Sequence, residues 1–403
     1  MSVRRPTVRS RALAAVALGA LVAGGLTGCE LMPSDDGDAS ASTAEAPKEK
    51  PPVAIATNVQ RRDVPVDRKL EVTPEGGTLK KVTVTSKETG RLAGRLKGGG
   101  ARWVATGRLE PGMTYVVRTV AKRPDGSTSR ATHRFTTENL SLDQQTWAAV
   151  APLDGETVGV GMPVIVSFDI GVTDKAAMER HMKVSSTPQQ QGSWHWLSDN
   201  VAHWRPASYW QAGTQVSVDL DINSIPAGAG IYGQESRHID FAVGNAHVYK
   251  VNAQTHQMQV YSNGSLLRTI PITTGKDGFT TRSGVKVIME KHRRKTMRSE
   301  TIGIANEDDP EYYDLDDVEY AMRLTHSGEF IHAAPWSTGS QGSANVSHGC
   351  TGMSTRDAGW LYDMTLRGDV VEYVGTDRPM TVDNGWGDWN LPFSQYRAGS
   401  ALT

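Results

Sequence analysis

From Val53 to about Ala149, and again from Ala151 to Val243, the chain is written in short runs of alternating apolar and polar residues broken by turn residues. Lys81-Val82-Thr83-Val84-Thr85, Thr114-Tyr115-Val116-Val117-Arg118 and Arg134-Phe135-Thr136 are separated by stretches such as Gly98-Gly99-Gly100. The pattern restarts at Ala151-Pro152-Leu153-Asp154-Gly155 and continues through Met162-Pro163-Val164-Ile165-Val166-Ser167-Phe168 to His238-Ile239-Asp240-Phe241-Ala242-Val243. Successive side chains of a strand face opposite ways, so each such run buries one face against a second sheet. Residues 53–149 and 150–245 are therefore expected to form two β-sandwiches. Trp194, Trp196, Trp204 and Trp210 cluster in the second. Their bland reading is core packing; the sharper one is a platform on which sugars stack.

A third block, 246–375, is mostly β as well. His247-Val248-Tyr249-Lys250-Val251 and Gln257-Met258-Gln259-Val260-Tyr261 read as a hairpin, and Leu266–Ile272, Val285–Met289, Phe330-Ile331-His332 and Asp369–Val374 supply further strands. Only Arg356–Leu366 carries a helical period in this block, with Ala358, Leu361, Tyr362 and Leu366 on one face. A tail, 376–403, holds Trp386, Trp389, Pro392, Phe393 and Tyr396 and is expected to pack back onto the body. The whole chain of 403 residues is long enough for several cores.

The first 28 residues have the three parts of an export signal. Arg4, Arg5, Arg9 and Arg11 are followed by an apolar run from Ala12 to Leu26 and then by small residues before Cys29. Leu26-Thr27-Gly28-Cys29 resembles the bacterial lipoprotein signal, which implies that Cys29 is acylated; the alternative is an ordinary cleaved signal that happens to end in cysteine. Residues 29–52, with Asp35-Asp36-Gly37-Asp38 and Lys48-Glu49-Lys50-Pro51-Pro52, lack the apolar residues needed to order and read as a tether. The expected location is the outer face of the cell membrane, reaching into the wall. The net charge is −1, and setting aside the four leading arginines takes it to −5. Without a basic field, nucleic acid is excluded as a partner.

Cys29 and Cys350 are the only cysteines. Cys350 closes Val346-Ser347-His348-Gly349-Cys350, eighteen residues after His332 in Ile331-His332-Ala333-Ala334-Pro335. A thiol becomes a nucleophile when a nearby base or cation helps it to thiolate, and His332 and His348 are both candidates. The glycine before Cys350 allows a tight turn whose N–H groups converge on one point, a geometry that stabilises the oxyanion of acyl transfer. A metal site built from His332, His348 and Cys350 lacks both paired-cysteine spacing and a fourth ligand. No metal or other cofactor is expected.

His332, fourteen residues and then Ser347-His348-Gly349-Cys350 resembles the active-site signature of the bacterial L,D-transpeptidases, cysteine enzymes that cross-link peptidoglycan. Ser327-Gly328, Ala334-Pro335-Trp336-Ser337 and Gly387-Asp388-Trp389-Asn390 extend the likeness. Two immunoglobulin-like domains behind a lipoprotein signal are similar to the actinobacterial members. The resemblance implies Cys350 as nucleophile and His332 as general base and later acid, oriented by the Ala333 carbonyl. It implies that His348 and Gly349 shape the loop, with N–H groups of Gly349 and Cys350 donating to the oxyanion. It places Met289, His326, Ser347, Trp336 and Gly352 at the substrate. Two positions depart from the family: Gly352 stands where asparagine is usual, and His326 where tyrosine is frequent. The implied reaction frees the terminal D-Ala of one stem peptide, forms a thioester, and passes the acyl group to the amine of a second stem as a 3→3 cross-link. Carbapenems are implied inhibitors.

Two charged runs complete the reading. Residues 306–319 carry eight acidic side chains and read as a solvated lid, or as an acidic lip for the ammonium groups of stem peptides. Lys291-His292-Arg293-Arg294-Lys295 reads as an exposed loop, or as a holder of a stem carboxylate. Rival functions are hydrolysis of the thioester, attachment of another amine to the wall, and a wall-binding lipoprotein whose activity has lapsed, which Gly352 suggests.

Overall fold

The computed structural model describes residues 51–403, and the proposed signal, Cys29 and nearly all of the tether lie outside the described residues. In the first sandwich one sheet orders Ala54–Thr57, Glu71–Glu75, Arg102–Ala105 and Gly94–Lys97. The other orders Gly90–Leu92, Thr78–Ser86, Thr114–Lys122 and Thr128–Thr136. Leu70, Val84, Trp103, Val117 and Phe135 fill the space between them.

The second sandwich faces Ala148–Ala151, Val164–Phe168, Val201–Pro206 and Gly192–Trp196 against Thr157–Val158, Arg237–Val243, Gln215–Leu220 and Met182–Thr187. All four clustered tryptophans are buried in this core. Three of the indole N–H groups find internal acceptors, Trp194 on the Met182 carbonyl at 3.0 Å, Trp196 on the Glu179 carboxylate at 2.9 Å and Trp210 on the Met162 carbonyl at 2.8 Å. Rings buried in this core leave no open face for sugar, so the platform reading is overturned.

The third domain has nine strands and one main helix: β1 (His247–Asn252), β2 (Gln257–Ser262), β3 (Ser265–Pro271), β4 (Gly284–Val287), β5 (Glu290–Arg298), β6 (Asp314–Arg323), β7 (Phe330–Ala333), β8 (Thr351–Met353), α1 (Thr355–Met364) and β9 (Val370–Val374). One sheet runs β3-β2-β1-β9-β4, the other β5-β6-β7-β8. Asn263 and Gly264, at φ +49° and +82°, make the tight two-residue turn between β2 and β3 that Asn-Gly favours. Helix α1 begins where Ser354 Oγ accepts the Asp357 N–H at 3.1 Å and lays Ala358 and Leu361 on the core between the sheets. Two further short helices occur, Lys175–Glu179 and Phe393–Arg397, the second in the tail.

The basic run is not a loop, and the acidic run is one only as far as Tyr313, so that Glu307, Asp308, Asp309 and Glu311 lie in a connection ahead of a strand. The basic run lies in β5 and the end of the acidic run, from Asp314, in β6, the two strands of one hairpin, and their charges pair across it: Arg293 with Glu319 at 2.9 Å and Arg298 with Asp314 at 3.2 Å. Cross-strand pairing consumes charge that the sequence pattern alone would assign to substrate.

The second sandwich and the third domain share a boundary without space. A Cβ on Gly159 would lie 2.2 Å from the Asp369 nitrogen, and Gly161 donates to the Gly368 carbonyl at 2.8 Å. The tail staples the same boundary. Trp389 donates to the Gly161 carbonyl at 2.8 Å, Asn390 bonds both backbone groups of Val285, and Arg205 lies under the rings of Trp389 and Tyr396 with its charge on the Leu391 carbonyl. Between the two sandwiches the contacts are polar and partly exposed, led by Arg108 with Asp221 at 2.7 Å.

Candidate active site

Strands β7 and β8 run parallel, with Ile331 opposite Thr351 and His332 opposite Gly352. Ile331 and Ala333 point into the core, so the period of two turns His332 to the other face. There a cavity of about 300 Å³ is lined by His332, Cys350, Trp336, Ser347, His348 and Gly352, and is closed over by Met297, Tyr313 and Leu315 from the β5–β6 hairpin.

The His332 ring is buried, and its Nδ1 lies 2.8 Å from the Ala333 carbonyl. A carbonyl only accepts, so Nδ1 carries the proton and Nε2 is left as the basic nitrogen. Burial holds the imidazole below its usual value of 6.5, against the smaller opposing pull of the Ala333 carbonyl. Trp336 stacks on the ring, centroids 5.8 Å apart.

The Cys350 thiol donates to the Gly328 carbonyl at 3.6 Å. Burial pushes it up to about 11, with the Phe330 backbone N–H pulling the other way. At neutral pH the resting cavity is therefore lined by a thiol and a neutral imidazole, rather than by a standing thiolate. The proton must move as the sulfur attacks.

The loop before Cys350 is fixed by its own side chains. Ser347 Oγ donates to the Cys350 carbonyl at 2.6 Å and accepts the Gly349 N–H at 3.1 Å. Gly349 sits at φ +119°, a conformation that a side chain would strain. Its N–H is spent on Ser347, which corrects the expectation that it serves the oxyanion. Upstream, Asn345 Oδ1 accepts from the Thr274 N–H at 3.1 Å while its amide donates to the Ala253 carbonyl at 3.0 Å. His348 is no partner of the thiol: Nε2 donates to Glu311 at 2.7 Å, and the ring sits between Phe279 and Tyr313. Glu311 also takes Lys276 at 2.5 Å, so one residue of the acidic run latches the hairpin to the signature loop.

Gly352 has a steric cause. A Cβ there would lie 2.8 Å from the Ala334 Cβ and 3.1 Å from Thr273 Cγ2, so asparagine has no room. The loop order that such an asparagine would supply comes from Asn345 and Ser347 instead.

Met289 and His326 do not join the site. Met289 is buried with its sulfur against Gly385, and His326 is exposed near Asp383. The wall expected from them is built by Met297 and Tyr313, which sequence reasoning missed. Among the described residues no cluster of three or more His, Cys, Asp or Glu is arranged for a metal ion.

Comparison with known proteins agrees with this geometry. Residues 246–372 match the family described as L,D-transpeptidase catalytic domain, and 61–226 match the bacterial Ig domain. L,D-transpeptidase 2 of Mycobacterium tuberculosis is 35% identical over 339 residues, 84% of this chain and 82% of that one. L,D-transpeptidase 5 of the same species is 30% identical over 98% of this chain and 86% of its own. The solved structure of LD transpeptidase LdtMt1 in complex with imipenem shares 38% identity and a TM-score of 0.50, covering 57% of this chain and 99% of that one. With a cysteine and a carbonyl-oriented histidine lining one cavity behind two sandwiches, this chain belongs to the L,D-transpeptidase family.

Proposed function

We propose that the chain cross-links peptidoglycan by two acyl transfers through Cys350. The observation that carries this is the commitment of His332 Nδ1 to the Ala333 carbonyl, which leaves Nε2 as a base in the cavity that Cys350 lines. In the first half, Nε2 takes the thiol proton as the sulfur attacks the carbonyl carbon on the L-centre of the third stem residue. The tetrahedral intermediate collapses when His332 returns that proton to the nitrogen of the departing D-Ala, leaving a thioester. In the second half the side-chain amine of another stem attacks the thioester, His332 takes its proton, and the thiolate leaves to be reprotonated. With the Gly349 N–H engaged, the Cys350 N–H is the donor we assign to the oxyanion; one such donor contributes about 2.7–4 kcal/mol.

The apolar wall of Met297, Tyr313 and Leu315 excludes water from the thioester, which favours an amine acceptor over hydrolysis. The imipenem complex of the relative supports the reading that carbapenems acylate Cys350. We further propose export, acylation of Cys29, and membrane tethering through residues 29–52. The domains 53–149 and 150–245 then carry the catalytic domain 246–375 and its extension 376–403 into the wall. The sequence Leu26-Thr27-Gly28-Cys29 supports the anchor.

The test is incubation with a disaccharide tetrapeptide, read by mass spectrometry. Free D-Ala together with a dimer joined between two third-position residues is expected. D-Ala release with only a tripeptide product would make the protein a carboxypeptidase, and no D-Ala release would refute the reading.

A further inference from the structure

Near Cys350, and outside the lining of the substrate cavity, two opposite charges are buried in contact. Lys286 on β4 is fully buried and donates to Glu329, itself 4% exposed. The other oxygen of Glu329 accepts from the Arg282 side chain at 2.8 Å and its backbone N–H at 3.1 Å. Glu329 directly follows Gly328, whose carbonyl holds the thiol proton. Lys286 Nζ lies 3.8 Å from the centre of the Tyr373 ring, and the Tyr373 hydroxyl bonds Thr351 Oγ1 at 2.6 Å, next to Cys350. The pair thus grips both backbone segments that position the sulfur.

Stability does not explain such a pair. Desolvating two charges costs about as much as their attraction returns, and well-packed apolar residues in their place are usually neutral or stabilising. We propose that Lys286 and Glu329 are positioning residues for Cys350, two buried charges of opposite sign that together decide how readily the thiol gives up its proton. The inference rests on the reading of Cys350 as nucleophile.

Every charged or titratable group facing the thiol belongs in the balance. Burial is the largest influence holding the thiol up; the Glu329 carboxylate adds to it, while the Phe330 N–H and the Lys286 ammonium favour the thiolate. Burial brings Lys286 itself down to about 8, and both Glu329 and a Cys350 thiolate pull it back up. Tyr313 from the hairpin and Tyr373 from β9 are both raised, chiefly by burial, with Cys350 adding for Tyr313 and Glu329 and then Cys350 adding for Tyr373 against the Thr351 hydrogen bond, and so stay neutral there. His332 is held neutral by burial. That leaves Lys286 and Glu329, with Arg282 behind it, as the charges set against the sulfur.

The test is the pH dependence of Cys350 alkylation by iodoacetamide in the full chain, read peptide by peptide so that Cys29 does not interfere. Lys286→Met is expected to slow alkylation several-fold at pH 8 and Glu329→Gln to speed it several-fold; a thiol whose pKa falls by one carries about ten times the thiolate at that pH. The double variant is expected to return close to the parent. A purely structural role moves both single variants the same way, so shifts of equal sign, or no shift in either, overturn the proposal. If circular dichroism shows that either variant is unfolded, Arg282→Gln replaces it. Removing that cation leaves Glu329 less compensated and is expected to move the profile to higher pH, and an unchanged profile overturns the proposal. Alkylation reads the thiol alone, so opposite shifts in a protein that forms no cross-link would reject the proposed activity and leave this pair standing.

Discussion

Two buried histidines in this molecule have similar exposure and opposite uses. His203 in the second sandwich places Nδ1 3.0 Å from Asp388 of the tail, whereas His332 places Nδ1 2.8 Å from a backbone carbonyl. Burial pushes the Asp388 carboxyl up, but the charge and hydrogen bond of His203, with help from Tyr396, outweigh it and hold the carboxyl below its usual value. A carboxylate partner thus makes a hydrogen-bonded lock that closes a domain boundary and keeps the carboxyl in its charged form. A carbonyl partner orients the ring without fixing a charge, leaving the other nitrogen free to take and return a proton. His247, bonded to Asp369 at 3.0 Å, has a carboxylate partner too, but there burial outweighs the histidine and holds the Asp369 carboxyl above its usual value.

The sharpest way to break this comparison is to remove each ring in turn. His332→Ala should slow acylation by imipenem about 10²–10⁴-fold, with a smaller effect on the urea midpoint than on the rate, since the base is lost from the cavity wall and no charge is stranded. His203→Ala should do the reverse. It strands the Asp388 carboxylate in the interior at a cost of about 3–5 kcal/mol in urea unfolding, while the folded fraction acylates at the parent rate. If His203→Ala abolished acylation in folded protein, the division between lock and base would be wrong.

A smaller effect is expected at Gly352. Gly352→Asn forces a side chain against Ala334, costing about 1–3 kcal/mol, and slows acylation by displacing the strand that carries His332. Acylation as fast as the parent's would show that the cavity has room to spare.

Mild acid separates the two histidines with the least perturbation. His332 has a folded value below 6.5, so acylation should hold through neutrality and then fall about tenfold per pH unit once the ring protonates. Below 6.5 the unfolded chain binds a proton that the folded ring refuses, so stability falls by about 1.4 kcal/mol per pH unit until the folded value is reached. Asp388 acts in a lower window. Its contribution is present above the ordinary carboxyl value of 3.8 and is lost only as pH falls through the still lower folded one. On acidification the protein should therefore lose acylation as the His332 ring protonates, before the Asp388 contribution to the fold is lost, and simultaneous loss by near-ultraviolet dichroism would contradict the assignment.

How far the sequence can be read follows from the same physics. Strands betray themselves by alternation, so the three β-rich blocks, the hairpin of β1 and β2 and the helix near Arg356 are legible. His332 and Cys350 are legible because a short signature fixes both. Met297 and Tyr313 are not, because the hairpin bearing them is dominated by charge whose purpose, pairing across the strands, emerges only when 290–298 is laid against 314–323. Met289 and His326, the positions that resemblance implies for the wall, flank β5 and β6 at the ends away from the cavity. Lys286 reads as the exposed residue of an alternating strand; only contact with Glu329, far along the chain, shows that it faces inward.

The most direct test of the central claim is intact-mass and peptide-level spectrometry of the protein incubated with imipenem, beside Cys350→Ala. A single adduct located on Cys350 and absent from the variant is expected. An adduct that survives in Cys350→Ala, or none in folded parent protein, would contradict the assignment of Cys350 as the acyl-accepting nucleophile.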